Sequence, residues 1–405
     1  MSTKHPEVEQ LRNLLAFWVL GFINNIGYVI MIAGAQEIAA GGVGLVYFFD
    51  IFPALFVKLS GPYWFQLVSY RQRTIVGASW MILSFLVVAN GKHSLWLQLL
   101  GVGFSGLQSG MMEASFLAMS SFYASPVRCL TCWSSGTGLA GVGGYAWIAL
   151  FHIWGNLSFQ MTLKLAIIFP ILYLLVFLFL LDTAKLPSAR PCNYIPIPEK
   201  LTEEELKQIK LGSEELVHDG SVMRIQDKVK FILTLGPYII PLTTVYFAEY
   251  TMQTGVWSSI GFPVEKKEAR AEFYTSAGLA YQVGVFISRS SGVLFQATRP
   301  ILYFMPMLQV LLLGFFTLMA VTHLWYNWGL LILCFVVGLL GGGVYVNAYT
   351  LLSKEISSSH MELALAAASV GDTVGVMLAD CVGLFLQGCL YSINRIPGAT
   401  IDVSC

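Results

Sequence analysis

Apolar runs of about 18 or more residues, each long enough to cross about 30 Å of hydrocarbon, begin near residues 14, 42, 75, 95, 133, 162, 231, 273, 300, 326 and 361. The pattern predicts eleven transmembrane helices and no strand, an all-α polytopic membrane protein. The first helix follows the polar stretch MSTKHPEVEQLR, which has no small-residue cleavage site of a signal peptide, so it is expected to stay as an anchor. Residues 182–230 interrupt the pattern, proline-rich at first and then charged. They predict a cytosolic linker with a Thr202 to Glu205 capping box opening a short surface helix over Thr202–Leu211. Six predicted helices precede the linker and five follow it, which divides the chain into 1–181, 182–230 and 231–405.

Composition agrees with the pattern. The chain is 56% hydrophobic and 11% charged, against about 25% charged for a soluble domain. Its net charge is zero, which gives no reason to expect a nucleic-acid or acidic partner. The distribution of Lys and Arg predicts a cytosolic N-terminus. Lys58, Arg71 and Arg73 are read as the cations of a short cytosolic loop between the second and third helices. The seven cysteines are odd in number and show no disulfide framework. Cys129 and Cys132 have C-x-x-C spacing without a second pair or a histidine, and Cys405 is not in a prenylation box.

The two halves resemble each other weakly. GVGFSGLQSGMMEASFLAMSS from Gly101 and VGLLGGGVYVNAYTLLS from Val337 each pass from glycines to one polar residue, Glu113 or Asn347, and end on serine. SSGTGLAGVGG and SVGDTVGVMLA share a small-polar-glycine opening at corresponding places. Two halves around a central cytosolic loop are the major-facilitator architecture, in which the first, fourth, seventh and tenth helices line a central cavity.

Five acids fall inside predicted spans: Asp50, Glu113, Glu249, Asp372 and Asp380. An intramembrane acid is costly, and such residues face a cavity or a partner. Thr243, Tyr246, Glu249, Tyr250 and Gln253 share one helical face, with Pro237 and Pro241 upstream as points of bending. Ser109, Glu113 and Ser120 form a second stripe, and the first helix adds Asn24, Asn25 and Tyr28. Carboxylates beside tyrosines suit a cationic or quaternary ammonium group, and they also suit a proton. No cluster of Arg or Lys is visible within the spans to hold a phosphate; Arg289 is the nearest candidate.

Enzyme signatures do not carry through. Gly136-x-Gly138-x-x-Gly141 lacks the strand a dinucleotide site needs, so close helix packing is the better reading. The six histidines form no pair at i, i+3 or i+4, and no metal or other cofactor is expected. Ser369-Val370-Gly371-Asp372 approaches the glycine-aspartate motif of intramembrane proteases, but its first glycine is Ser and a Tyr-Asp partner is missing. Asn156-Leu157-Ser158 is a glycosylation sequon on the predicted lumenal side.

Seven blocks in order now carry a resemblance: FWVLGFINNIGYVIM, EASFLAMSSFY, WSSGTGLAGVGG, VYFAEY, GVFISRSS, GLLGGGVYVNAY and the Gly371-Asp372-Thr373 region. The chain resembles the battenin family, the lysosomal protein of juvenile neuronal ceroid lipofuscinosis and its fungal and protist relatives. The resemblance implies a lysosomal or vacuolar membrane protein of eleven helices with a major-facilitator-like fold. It also implies export of glycerophosphodiesters such as glycerophosphocholine, with links to compartment pH and basic amino acids, and functional positions at Glu113, Glu249, Arg289 and Asp372. The linker lacks a clean acidic dileucine signal and the C-terminus lacks the prenylation box of some animal members. Alternatives of other classes are a trafficking scaffold acting through the linker, and a carrier of basic amino acids or nucleoside-like solutes.

Overall fold

The computed structural model describes residues 6–38, 43–186, 225–399, 401, 403 and 405. Among the described residues the chain is helical, without a strand. Its long rods are α1 (Pro6–Ala33), α2 (Val43–Trp64), α3 (Tyr70–Asn90), α4 (Leu95–Met119) and α5 (Pro126–Ile148). They continue with α6 (Phe159–Leu165 and Ile168–Leu175), α7 (Gly236–Thr251), α8 (Lys267–Ser290), α9 (Arg299–Thr322), α10 (Leu330–Glu355) and α11 (Ser358–Ile393). All eleven fall where the apolar runs place them. The expected Thr202–Leu211 helix lies outside the described residues.

Local chemistry sets the ends. Ser69 and Gln72 form a reciprocal capping box at the start of α3, and the Ser94 and Ser158 side chains cap α4 and α6. Pro237 sits in the first turn of α7, where its missing N–H leaves no bond unmade. Pro241 alone is interior. Beyond Thr251 the helix widens into a π-turn, Met252–Val256, rather than running on straight.

Seven of the rods, α1, α2, α3, α6, α9, α10 and α11, are long and apolar enough to cross a membrane. The other four, α4, α5, α7 and α8, are shorter or more polar, and each contributes a polar side chain to the cavity described below. The protein is therefore a multi-pass membrane protein. "Near" denotes the face on which α1 begins and "far" the opposite face.

Packing repeats along the chain. Within the first group α1 packs on α5 and α2 on α4; within the second, α7 packs on α11 and α8 on α10. Adding six to each number in the first set gives the second. Two seams, α5 against α8 and α2 against α11, join the groups. The glycine run on α5 serves this packing: a Cβ on Gly136 would meet the backbone of Trp18 and Phe22 on α1, so only glycine permits that approach.

Two expectations change. Cys389 and Cys405 form a disulfide that ties the end of α11 to the last residue, with 5.3 Å between their Cα atoms. The odd total of seven hid this pair; among the described residues Cys129, Cys132, Cys334 and Cys381 form no disulfide. Of the three cations read as loop residues, only Arg71 is exposed. Arg73 is buried, stacked 4.0 Å from the Tyr70 ring centre and bonded to the Ser115 hydroxyl at 2.8 Å. Lys58 lies within α2 and is 4% exposed.

Candidate functional site: a charged cavity between two helix groups

Between the two groups lies a cavity of about 630 Å³, counted out into its open mouth, with side chains of both groups on its walls. Its first-group wall comes from Asn24, Asn25 and Tyr28 of α1, Ala54 and Lys58 of α2, Ser109 and Glu113 of α4 and Thr137 of α5. Its second-group wall comes from Tyr246 and Tyr250 of α7, Arg289 of α8, and Asp372 and Thr373 of α11.

Lys58 is the hub. Its Nζ donates to Glu113 Oε2 at 2.6 Å, Asp372 Oδ1 at 3.0 Å, Thr373 Oγ1 at 2.6 Å and the Ser369 carbonyl at 2.8 Å. Four acceptors compete for three protons, and two of them are carboxylates. Tyr345 of α10 donates to Glu113 Oε1 at 2.9 Å, and Tyr349 to Asp372 Oδ2 at 3.4 Å. The cluster thus ties α2 and α4 to α10 and α11. Such a buried arrangement holds only while every charge keeps its partner.

Arg289 is different in kind. Its guanidinium donates to the Thr137 hydroxyl and the Tyr246 hydroxyl, each at 2.8 Å, and lies 4.2 Å from the centre of the Tyr345 ring. Its Nε is buried with no partner. Among the described residues no carboxylate lies within salt-bridge distance of it. Neutral oxygens and a π-face hold a full positive charge in place, leaving it available to an anion. Tyr246 and Tyr250 stack with ring centres 5.9 Å apart on the same wall.

The α1 asparagines secure the opposite wall. Asn24 Oδ1 accepts from Gln108 at 2.7 Å and from Tyr173 at 3.2 Å, and Asn25 donates to the Thr137 carbonyl at 3.1 Å. Part of each is spent on helix packing.

Three residues expected at the site lie outside the cavity lining. Glu249 is buried behind it, accepting from Tyr281 of α8 at 2.9 Å and Gln309 of α9 at 3.4 Å, against Gly341 of α10. The stripe Thr243 to Gln253 spans more than one neighbour: Tyr246 and Tyr250 face the cavity, while Thr243 bonds the Gly371 carbonyl on α11. Gln253 falls in the π-turn, buried with an unpartnered Nε2. Asn347 bonds the Ala297 N–H at 2.6 Å and the Gly343 carbonyl, fixing the connection between α8 and α9. Asn156 is exposed in a left-handed turn, φ 51°, between α5 and α6.

Lys58 was missed because a cation near a helix end reads as a loop anchor. The signal that would have found it is spacing: Asp50, Ala54 and Lys58 are four apart and share one face of α2. With Lys58 and Arg289 both at the cavity, a pair of cations stands where the sequence showed no such cluster.

Residues 15–393 match the model of the family described as CLN3 protein. The chain belongs to that family. Protein BTN1 of Yarrowia lipolytica is 32% identical, the match covering 94% of this chain and 95% of the relative. Protein btn1 of Schizosaccharomyces pombe is 33% identical over 94% of each. Among solved structures, the human organic anion transporter MFSD10 superposes with a TM-score of 0.62 over 97% of this chain and 98% of that one, at 12% identity. The major facilitator proton:xylose symporter XylE superposes at 0.57 over 97% of each, at 11% identity. The fold is therefore of the major-facilitator type, as the helix pairing indicates.

Proposed function

We propose that the chain is a solute carrier of the lysosomal or vacuolar membrane, with its near face cytosolic. In this reading it exports a zwitterionic phosphodiester such as glycerophosphocholine by alternating access between its halves, 1–181 and 231–405. The observation that carries the reading is the cavity's charge arrangement: two cations and two carboxylates, contributed by both helix groups, beside stacked tyrosines. The charges sum to zero, which suits a ligand that is itself neutral overall but carries separated charges.

The assignments follow from chemistry. Arg289, whose hydrogen bonds go to the neutral Thr137 and Tyr246 hydroxyls, takes the phosphate; its planar fork matches two phosphate oxygens. The quaternary ammonium takes Glu113 and the faces of Tyr246 and Tyr250. Lys58, Glu113 and Asp372 form the tie between halves that a bound ligand rearranges. Differential contact in two states is what lets a ligand drive such an exchange. Glu249, Gln253 and Asn347 are assigned packing roles.

Ligand-induced stabilisation tests this. Purified protein is heated with glycerophosphocholine, choline, glycerol 3-phosphate, lysine or a nucleoside, each at equal concentration. Glycerophosphocholine is expected to raise the melting temperature most, because binding to the folded state alone stabilises it. Stabilisation by lysine or the nucleoside, with none by glycerophosphocholine, overturns the assignment.

A further inference from the structure

Two more acids lie on the helices that carry Lys58 and Asp372. Asp50 precedes Lys58 on α2 by eight residues, and Asp380 follows Asp372 on α11 by eight. Eight residues rise about 12 Å along a helix. Because α2 and α11 pack together and run in opposite senses, the second pair lies beyond the first by that distance, toward the far face. The Asp50 charge acts on Asp380, so the two are electrostatic neighbours.

Nothing neutralises them. Asp50 is 1% exposed and Asp380 0%. All four carboxylate oxygens lack a hydrogen-bond partner among the described residues. The groups facing them from the surrounding helices are the Ser105 hydroxyl on α4 and Tyr28 on α1, both beside Asp50, with Tyr250 on α7 and Tyr274 on α8 beside Asp380. Hydroxyls and phenols are neutral, and no lysine, arginine or histidine stands among them. Two ionised carboxylates in such surroundings would have neither solvent nor counter-charge, so the pair must hold a positive particle. A proton on either carboxyl needs no cavity of its own.

The pair also has a route to the cavity and a lid. Tyr28 is 8% exposed, lines the cavity, and its hydroxyl is unpartnered. Above it, the Tyr47 hydroxyl of α2 meets the Tyr274 hydroxyl of α8 at 3.2 Å, joining the two helix groups on the far side. In the carrier reading, opening on the far side would separate these phenols and admit water to the acids.

We propose that Asp50 and Asp380 are a proton-binding site, separate from the Lys58 cluster, that couples substrate export to proton movement. The proposal rests on the carrier reading above. With the far side open, hydronium in an acidic lumen passes a proton to one carboxylate: one O–H bond of hydronium breaks, one carboxyl O–H bond forms, and a water molecule is left. With the near side open, the carboxyl O–H bond breaks as an O–H bond forms on a cytosolic water, giving hydronium, so one proton accompanies the substrate.

Two measurements on the full chain in lipid test it. Infrared difference spectra of wild type near neutral pH are expected to show the carbonyl stretch of a protonated carboxyl that Asp50→Asn and Asp380→Asn each remove and Asp380→Glu restores. Persistence of every such band in both asparagine variants overturns the proposal. In vesicles enclosing a pH dye and labelled glycerophosphocholine, the protons moved per substrate are expected to fall at least about tenfold in Asp380→Asn. An unchanged ratio overturns it, as does wild-type movement driven by a sodium gradient and indifferent to a proton gradient. A wild type that shows the band but moves no substrate contradicts the carrier reading and leaves the pair's proton in place.

Discussion

Glu113 and Glu249 look alike in the sequence, each a lone acid in a greasy run, yet the fold uses them differently. Glu113 bonds across the middle of the molecule, to Lys58 of the first helix group and Tyr345 of the second. Glu249 bonds within the second group alone, to Tyr281 and Gln309. The side chain of Glu113 keeps 22% of its surface exposed, whereas Glu249 is 1% exposed. Under the proposed carrier reading, an acid that bonds across the two helix groups feels which state the protein occupies, whereas one confined to a single group moves with it.

The largest effect is expected from Lys58→Ala, which strands both Glu113 and Asp372 at the seam. Removing one partner of a buried charge pair costs about 3–5 kcal/mol, so folded yield and melting temperature should collapse. The triple variant Lys58→Met, Glu113→Gln, Asp372→Asn should recover the fold but not transport. A Lys58→Ala protein that melts like wild type would remove the hub role. Next in size is Arg289→Lys. It loses the two-pronged geometry that holds Thr137 and Tyr246, a loss of about 1.5–3 kcal/mol, or roughly ten- to a hundredfold in substrate affinity, with a smaller fall in stability. Equal affinity in titrations would show that the guanidinium does not meet the ligand.

The two glutamates themselves should then separate. Glu113→Gln weakens its bond to Lys58 and is expected to change substrate affinity and turnover together. Glu249→Gln is expected to lower the melting temperature by sharing a buried site with the Gln309 amide, an effect of about 1 kcal/mol, while substrate affinity stays within twofold. Reversal of that ordering in a binding and melting series would exchange their roles. The smallest effect on ligand affinity belongs to Asn347→Ala, which leaves the buried Ala297 N–H unpaired. The expected cost is about 1–3 kcal/mol, read as a fall in melting temperature with affinity unchanged.

Much of the architecture was legible because a bilayer imposes length and polarity on every crossing, and those survive in the linear pattern. All eleven rods and the packing use of the α5 glycines could be read that way. The site was legible by face but not by neighbour. Spacing put Tyr246, Glu249, Tyr250 and Gln253 on one side of α7, yet that side meets the cavity, α11, α8 and α9 in turn, and only the fold decides which residue meets which. Lys58 shows the converse: its position near a helix end made it look like an anchor, because nothing local marks the acids that approach it from α4 and α11. The Cys389–Cys405 link likewise depends on the chain end folding back onto α11, where the backbone of Ile401 packs against Gly388.

Efflux of labelled glycerophosphocholine from proteoliposomes, run side by side for wild type, Arg289→Gln and Glu249→Gln, tests the central claim most directly. Wild type should release the label, Arg289→Gln should release it at least about tenfold more slowly at subsaturating substrate, and Glu249→Gln should stay close to wild type once corrected for folded protein. Efflux in Arg289→Gln equal to wild type, together with loss in Glu249→Gln, would contradict the account by moving the ligand out of the central cavity and behind α7.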